Sequence, residues 1–228
     1  MDLKKEAARH AVTLINHGNT VGLGAGSTIA YMVQWLKEDQ EKAASLILFT
    51  SSYSTRQLLL SEGFTVQDTA LATKLDLYFD GCDQFDHLLN ALKSGGGIHT
   101  HEKLLASMAN AFVLIGDDKK MVPVLETKYP LVIELIPESL AYVTHRLREL
   151  FTGAVIQQRM ADKRDGPVLT QNGNYLLDVF VQSWPSLKEV NPMVKSIPGV
   201  LETSLFYNIA SKAVVAASDG VRVIEKNN

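Results

Sequence analysis

The sequence of 228 residues has little of several features that mark whole classes of protein. Its single cysteine, Cys82, excludes an intramolecular disulfide framework and a cysteine-rich zinc site. Lys and Arg total 22 against 25 Asp and Glu, and this lack of a basic excess argues against a nucleic-acid partner. No apolar run approaches the roughly 18 residues of a membrane span, so we expect no membrane partner.

What the sequence does contain is typical of a globular protein. The hydrophobic fraction is 46% and the charged fraction is 21%, and the length allows one large domain with or without a smaller addition. A chain of this length buries a full core without disulfides or metals. Residues 1–6 begin a mixed-charge helical pattern and not an apolar signal region, so we expect a soluble, cytoplasmic protein.

Strand and helix patterns alternate through the first half of the chain. Apolar positions near a 3.6-residue period predict the helices, and short apolar runs bounded by turn residues predict the strands. The predicted helices are residues 3–17, 28–38, 54–62 and 102–111, and the predicted strands are residues 20–24, 46–50, 75–80 and 112–116. This alternation indicates βαβ units and a parallel, Rossmann-like α/β sheet.

The pattern changes after Lys120. We predict a strand at 132–137, a helix at 139–150, a hairpin joining 168–170 to 175–180, and a helix at 186–196. The hairpin prediction rests on the Asn172-Gly173 pair between two apolar runs. These elements indicate a small α+β subdomain, and the runs at 213–216 and 221–224 are predicted to complete the first sheet.

Two segments combine glycines or hydroxyls with the end of a strand and the start of a helix. The run from Gly22 to Thr28 leaves backbone N–H groups free for an anion, although it has neither Walker nor GxGxxG spacing. The run from Thr50 to Thr55 offers hydroxyls for phosphate or sugar oxygens. Tight turns and helix N-caps explain both segments equally well, so ligand binding stays open for each.

A third segment carries the strongest chemical signal. Asp80 and Asp83 follow a buried strand, and Lys93 precedes three glycines, with Glu102 shortly after them. Carboxylates beside a lysine form an acid–base site, and bare glycine amides stabilise an oxyanion or a phosphate. Each residue alone also fits an ordinary loop or helix start. For the later run from Asp117 to Lys120, a solvated loop is the better interpretation and an anion contact by Lys120 the alternative.

A metal site is suggested only by His99, His101 and Glu102, and we expect none. In a helix, residues two apart do not share a face, and in a strand Glu102 would point away from the two histidines. Cys82 beside the acidic turn is expected to be a packing residue and not a nucleophile.

At this point the chain resembles the type A ribose-5-phosphate isomerase family. The segments that match its motifs run in order through nearly the whole chain: Val21–Thr28, Thr50–Thr55, Asp80–Gln84, Lys93–Lys103, Phe112–Lys120, Asn172–Asp178 and Ile197–Val200. The resemblance implies a Rossmann-like domain of residues 1–127 plus 205–228, and a ferredoxin-like α+β insert of residues 128–204. It also implies a homodimer or homotetramer.

The resemblance further implies a cofactor-free aldose–ketose isomerase of the non-oxidative pentose phosphate pathway, interconverting ribose 5-phosphate and ribulose 5-phosphate through an enediolate. By motif position, Glu102 moves the proton, Asp80 and Lys93 serve the substrate oxygens, and Asp83 assists. The implied substrate-binding residues are Gly24, Gly26, Ser27, Thr28, Ser51, Ser52, Gly95, Gly96, Gly97, Lys4 and Lys120.

Departures from the family pattern keep two alternatives in view. Ala25, Gln84, Ser94, His101, Lys119 and Gln171 each replace a residue that the family prefers. The first alternative is a divergent isomerase that acts on another sugar phosphate. The second is a sugar-phosphate-binding protein without turnover, which does not require the acid–base residues that this chain retains.

Overall fold

The computed structural model describes residues 2–226. Its helices are α1 (Leu3–Val12), α2 (Ser27–Glu38), α3 (Gln40–Ser45), α4 (Tyr53–Ser61), α5 (His99–Met108), α6 (Leu140–Leu150) and α7 (Leu187–Lys195). Its strands are β1 (Thr20–Leu23), β2 (Ile47–Thr50), β3 (Leu75–Asp80), β4 (Gln84–Phe85), β5 (Ala91–Leu92), β6 (Ala109–Asp117), β7 (Leu131–Leu135), β8 (Val155–Gln158), β9 (Tyr175–Phe180), β10 (Val200–Thr203), β11 (Leu205–Phe206), β12 (Lys212–Ala217) and β13 (Gly220–Glu225).

The largest sheet has six strands in the order β13-β12-β6-β3-β1-β2. All neighbours are parallel except β13, which pairs antiparallel with β12 and forms one edge. Alanines on α1 and the apolar stripe of α2 are fully buried in a core with residues of β1, β3 and β6. The α/β, Rossmann-like fold class predicted from the sequence is therefore confirmed, with one antiparallel edge strand added.

The strand order determines where the sheet opens a crevice for a ligand. The chain proceeds from β1 outward to β2 on one side and then to β3 on the other side of β1. The crossover connections therefore leave β1 and β3 in opposite directions, which opens a crevice beyond the carboxyl ends of these two strands. The segment that follows β1 and the last residue of β3, Asp80, meet at this crevice.

A second sheet belongs to the chain between β6 and β12. Its order is β10-β7-β9-β8, and every pair in it is antiparallel. Together with α6 and α7 this gives a βαββαβ unit of ferredoxin-like type, as the fold prediction states. One face of the sheet packs on the apolar faces of α6 and α7, through residues that include Ile133, Leu147, Val179 and Val190.

The division into a domain of residues 1–127 plus 205–228 and an insert of residues 128–204 stays our proposal. It is supported by the sheets, since the six-stranded sheet draws its strands from residues 20–117 and 212–225, and the four-stranded sheet from residues 131–203. A three-stranded sheet, β11-β5-β4, pairs the chain just after the proposed insert with residues 84–92.

Three sequence predictions are wrong in detail. Helix α1 ends at Val12 and not at residue 17, because the next turn is closed by bonds of its own, from Thr13 Oγ1 to the His10 carbonyl and from the Asn16 N–H to Asn19 Oδ1. Helix α5 begins at His99 and ends at Met108, since residues 109–111 pair with β3 instead.

The third error is the hairpin. Residues 168–170 form no strand, and β9 pairs with β7 and β8. The short elements α3, β4, β5, β8, β10 and β11 had no counterpart in the sequence prediction, because two- to six-residue segments carry little periodic signal. Within residues 2–226, no helix combines the length and the hydrophobicity needed to cross a bilayer.

Candidate active site

Asp80 ends β3 in the crevice and is 1% exposed. Its Oδ1 accepts hydrogen bonds from the backbone N–H of Gly81 at 2.8 Å and of Ala25 at 3.2 Å. Gly24 permits this approach, because a Cβ on that residue would lie 2.0 Å from the Asp80 carboxyl carbon. The glycine-rich turn after β1 therefore holds the carboxylate of β3.

A buried tyrosine that the sequence reasoning missed also binds Asp80. The Tyr78 hydroxyl donates to Asp80 Oδ2 at 2.7 Å and lies 3.1 Å from Ser51 Oγ. Burial first, and then the charges of Asp80 and Glu102, raise the pKa of Tyr78, so the phenol keeps its proton for this bond. Alternation along β3 marks Tyr78 as a core residue, and no local pattern separates it from an ordinary core aromatic.

Lys93 joins two carboxylates. Its Nζ lies 2.9 Å from Asp80 Oδ2 and 3.3 Å from Glu102 Oε1, and it donates to the Gly81 carbonyl at 2.6 Å. Burial by itself lowers the pKa of Lys93, but the charges of Asp80 and Glu102 outweigh it and hold that pKa above its usual value. Lys93 is therefore a permanent cation between two acidic side chains.

Glu102 lies in the first turn of α5 and is 5% exposed. Burial, and then the neighbouring Asp80 carboxylate, raise the pKa of Glu102 to about 8, while Lys93 opposes this shift. A carboxylate with a raised pKa beside a fixed cation is suited to accept and return a proton near neutral pH.

The loop of residues 93–97, named here the glycine loop, closes one side of the site. Asp83 Oδ2 accepts from the N–H of Ser94 and, at 3.3 Å, from the N–H of Gly95. Gly96 and Gly97 both adopt positive φ angles, which glycine tolerates without strain. Asp83 therefore shapes the glycine loop with one oxygen, and its Oδ1 is 3.9 Å from where a Cβ on Gly95 would lie.

These groups surround a cavity of about 410 Å³. Its wall includes eight of the predicted site residues, Gly26, Asp80, Asp83, Lys93, Gly95, Gly96, Glu102 and Lys120. The solvated-loop interpretation is wrong for Lys120, because its Nζ donates to the Cys82 carbonyl at 2.6 Å in this wall. Ile98, Ala25, Gly81 and Cys82 complete the lining.

The other predicted residues lie outside that wall. Gly24 supports Asp80, and Gly97 packs against the insert, where a Cβ would lie 2.7 Å from a methyl group of Leu176. Lys4 Nζ donates to Ser27 Oγ at 3.2 Å near the start of α2, where Thr28 is buried in the first turn. Ser51 and Ser52 line a separate cavity of about 260 Å³.

The departures from the family pattern have visible contacts. Ser94 Oγ donates to the Pro130 carbonyl at 2.6 Å, and Gln84 exchanges hydrogen bonds with the backbone of Glu126. His101 and Gln171 both line the smaller cavity beside Ser51. None of these contacts removes a group from the Asp80, Lys93 and Glu102 cluster.

The histidines and the cysteine give no metal or nucleophile site in the described part of the chain. His99 is fully buried, and burial followed by the charge of Lys103 lowers its pKa to about 4, whereas His101 lies on another side of α5. Residues 2–226 contain no cluster of three or more His, Cys, Asp or Glu side chains placed for a metal ion. Burial raises the pKa of the Cys82 thiol to about 12, against the effect of Lys120 and Lys93, so it stays protonated.

The sequence and the fold both match known proteins. A profile of the family described as Ribose 5-phosphate isomerase A (phosphoriboisomerase A) matches residues 47–220. The chain is 36% identical over 223 residues to ribose-5-phosphate isomerase of Homo sapiens, covering 96% of this chain and 71% of that protein. It is 35% identical over 226 residues to ribose-5-phosphate isomerase A of Methanothermobacter thermautotrophicus, covering 98% of both.

Solved structures give the same result. Ribose 5-phosphate isomerase A from Methanocaldococcus jannaschii superposes with a TM-score of 0.91 at 32% identity, covering 99% of both chains. A D-ribose-5-phosphate isomerase in complex with phospho-erythronic acid superposes with a TM-score of 0.91 at 30% identity, covering 98% of both chains. The family profile spans well over half of the sequence, and the relatives match almost all of it. The chain therefore belongs to the ribose 5-phosphate isomerase A family.

Proposed function

We propose that this protein interconverts D-ribose 5-phosphate and D-ribulose 5-phosphate, with Glu102, Lys93 and Asp80 as its catalytic residues. The observation that carries the proposal is the buried contact of these three side chains in the wall of one cavity at the sheet edge. Aldose–ketose isomerisation needs a base beside a cation that stabilises oxyanion charge, in a pocket with little water. The residue assignments rest on this geometry and on motif position.

Glu102 is the proposed proton carrier. As a carboxylate it removes the proton from C2 of the open-chain aldose, and the electrons of that C–H bond form the C1–C2 double bond of an enediolate. The carbonyl oxygen at C1 then carries negative charge. Glu102 returns its proton to C1, which completes the ketose, and this reaction consumes no cofactor.

Lys93 and Asp80 are the proposed partners of the substrate oxygens. The Lys93 ammonium stabilises the oxyanion as charge develops on O1, and the Gly96 amide in the cavity wall adds a donor from the glycine loop, since the Gly95 N–H is already bound to Asp83. Asp80 takes the proton from the hydroxyl at C2 and delivers it to O1. One proton thus moves from C2 to C1 and another from O2 to O1, so the reaction is balanced. Asp83 assists by shaping the loop.

The phosphate and the remaining hydroxyls have a larger set of proposed contacts. Lys120 and Gly26 lie in the cavity wall, and Lys4 bonds Ser27 at the start of α2. A cation beside a helix N-terminus suits a phosphate group. Thr28, Gly24, Ser51, Ser52 and Gly97 lie outside this wall, so their proposed substrate contacts rest on motif position alone.

The test is turnover of ribose 5-phosphate by the purified protein, followed by ketopentose absorbance, with a chelator present and no cofactor added. Glu102→Gln and Lys93→Ala are expected to lose at least about 100-fold in kcat, because each loses a group that acts on the reacting atoms. Glu149→Gln is the matched control, since Glu149 is exposed on α6.

Two outcomes would contradict the proposal. If the wild type does not turn over but is protected thermally by ribose 5-phosphate, it is a binding protein without catalysis. If there is neither turnover nor protection, a panel of other sugar phosphates tests the divergent isomerase that Ala25 and His101 suggest.

We also propose a cytoplasmic location and a homodimeric or homotetrameric assembly. The location is supported by a lone cysteine that is buried and free. The assembly is supported by exposed apolar side chains on the four-stranded sheet, where Val155 and Phe180 are cross-strand neighbours and both lie at the surface. Light scattering of the purified protein measures the assembly directly, and a monomeric mass would refute it.

A further inference from the structure

The insert contacts the glycine loop at several points, one of which is the hydrogen bond from the Lys93 N–H to the Ser204 carbonyl at 3.0 Å. Arg159 Nη2 donates to the Ser94 carbonyl at 2.8 Å, Ser94 Oγ donates to the Pro130 carbonyl, and Gly97 approaches Leu176 without a Cβ. The loop is therefore bounded by the insert on one side and by Asp83 on the other.

Arg159 is itself fixed by the inserted sheet. It follows β8, and its backbone N–H donates to the Leu176 carbonyl at 2.9 Å. Its Nε donates to both carboxylate oxygens of Asp178 on β9, each at 3.1 Å, and its Nη2 also lies 2.5 Å from Asp178 Oδ1. Both side chains are about four-fifths buried, with 20% and 18% exposed. Because Nε and Nη2 of the planar guanidinium both bind Asp178, the other N–H of Nη2 points in a fixed direction, toward the Ser94 carbonyl.

That donor acts on one peptide plane of the glycine loop. The Ser94 carbonyl and the Gly95 N–H belong to the same planar peptide unit and point in opposite directions. Arg159 binds the carbonyl, and Asp83 Oδ2 accepts from the Gly95 N–H at 3.3 Å. Hydrogen bonds at both ends of this peptide unit prevent its rotation about the Cα–Cα axis, a rotation that the glycines at 95–97 would otherwise allow.

We propose that Arg159 is a positioning residue for the isomerisation, through which the inserted sheet sets the orientation of the glycine loop in the active site. This inference rests on the proposed function, because its consequence for rate assumes that Lys93 and the Gly96 amide stabilise the enediolate oxygens. If the Ser94–Gly95 peptide is free to rotate, the backbone of Gly95 is free as well, and the Gly96 N–H that follows it in the cavity wall loses its fixed direction. The Ser94–Pro130 hydrogen bond supports the loop from the same side.

The test is a graded series of variants, Arg159→Gln, Arg159→Lys and Asp178→Asn, compared with the wild type. We expect Arg159→Gln to lower kcat by about 10- to 100-fold, the scale of a small misplacement of reacting groups, with little change in KM. Arg159→Lys retains one donor without the fork and should fall between Arg159→Gln and the wild type. Asp178→Asn leaves the donor to Ser94 and should have the smallest effect.

Arg164→Gln is the matched control. Arg164 also lies in the insert, and its Nη2 also donates to a carbonyl at 2.8 Å, but the acceptor is Pro167 in its own loop. Two further readouts separate positioning from folding. The affinity for phospho-erythronic acid should fall in Arg159→Gln although KM does not change, because the carboxylate of this ligand resembles the charged enediolate more than the neutral aldose. The melting temperature and the circular dichroism spectrum report whether the fold persists.

Hydrogen exchange gives a readout that is independent of activity. In Arg159→Gln, the amides of residues 94 and 95 should exchange faster than in the wild type, and in Arg164→Gln they should not. Unchanged exchange there and unchanged kcat in Arg159→Gln would overturn the inference. Equal effects of Arg164→Gln, or faster exchange throughout the chain, would also overturn it. If the wild type has no turnover, the proposed function fails, and exchange alone still decides whether Arg159 orders the loop.

Discussion

Replacing Glu102 by glutamine tests the electrostatics of the site through stability as well as activity. Glu102 is 5% exposed and lies beside the Asp80 carboxylate, and both factors raise its pKa from the ordinary 4.5 to about 8. Glutamine keeps the shape of the side chain but never ionises. Because the pKa is higher in the folded state than in the unfolded chain, the stability that this group contributes is present below pH 4.5. It is lost as the pH rises through about 8.

The magnitude follows from the shift. Each pKa unit corresponds to about 1.4 kcal/mol, so ionising Glu102 in the folded protein costs on the order of a few kcal/mol at pH 9. The variant avoids this cost but loses the attraction between Glu102 and Lys93. Lys93 still has Asp80 at 2.9 Å and the Gly81 carbonyl at 2.6 Å, so its charge stays compensated. We therefore expect Glu102→Gln to be more stable than the wild type at pH 9, and nearly equal to it at pH 5.

Thermal unfolding at the two pH values measures this difference. For a domain of this length about 1 kcal/mol changes the melting temperature by about 2–4 °C, so a gain of several degrees is expected at pH 9. Glu149→Gln, at an exposed position, should show no such gain. A Glu102→Gln variant that is less stable than the wild type at pH 9 would refute the reasoning. It would mean that Lys93 fully compensates the negative charge of Glu102 in the folded protein and that the pKa of Glu102 is not raised.

Two other predictions follow from the same geometry. If Glu102 is the base, kcat/KM of the wild type should rise with pH, reach half of its maximum near pH 8 and level off about one pH unit higher, since the carboxylate must lose its proton first. A profile level from pH 5 to pH 9 would contradict its role. Gly24→Ala should displace Asp80 and abolish turnover, because its Cβ would lie 2.0–2.3 Å from the Asp80 carboxyl atoms. Gly81→Ala should leave the melting temperature unchanged, because the nearest atom to its Cβ would be the Ile115 carbonyl oxygen at 3.8 Å.

The cluster of Asp80, Lys93 and Glu102 could be anticipated from the sequence for a physical reason. The carboxyl ends of parallel strands lie at the same side of a sheet, so Asp80 at the end of β3 and the turn after β1 had to lie close together. The run of glycines after Lys93 indicated backbone amides that no side chain covers, and Glu102 stands at the start of a predicted helix. This cluster could be predicted from local sequence patterns, from the order of the strands, and from a family resemblance that spans nearly the whole chain.

The hairpin failed because its turn is local and its strands are not. Asn172 and Gly173 do form a turn, in which the Gly173 N–H donates to the Thr170 carbonyl at 2.9 Å. The preceding residues do not pair with β9: the Val168 N–H donates to the Arg159 carbonyl at 2.9 Å, and Thr170 Oγ1 donates to Glu134 Oε1 at 2.8 Å. Strand β9 pairs instead with β7 and with β8, and its partners on β8 lie 19 to 25 residues earlier in the chain, from Gln158↔Leu177 to Val155↔Phe180. Pairing over that distance leaves no pattern in a short window of sequence.

Two side chains that bind the cluster or the glycine loop could not be predicted, because no local pattern in the sequence marks their polar contacts. Tyr78 reads as one more core aromatic, yet its hydroxyl donates to Asp80. Arg159 reads as a surface charge between a strand and a turn, yet it reaches Ser94, 65 residues earlier. The ends of strands determine where Asp80 and its neighbours lie, whereas contacts such as that of Arg159 with Ser94 depend on how the insert packs against the glycine loop. The sequence therefore indicates which chemical groups this site contains more readily than how they are oriented, and the Arg159 variants test the orientation separately.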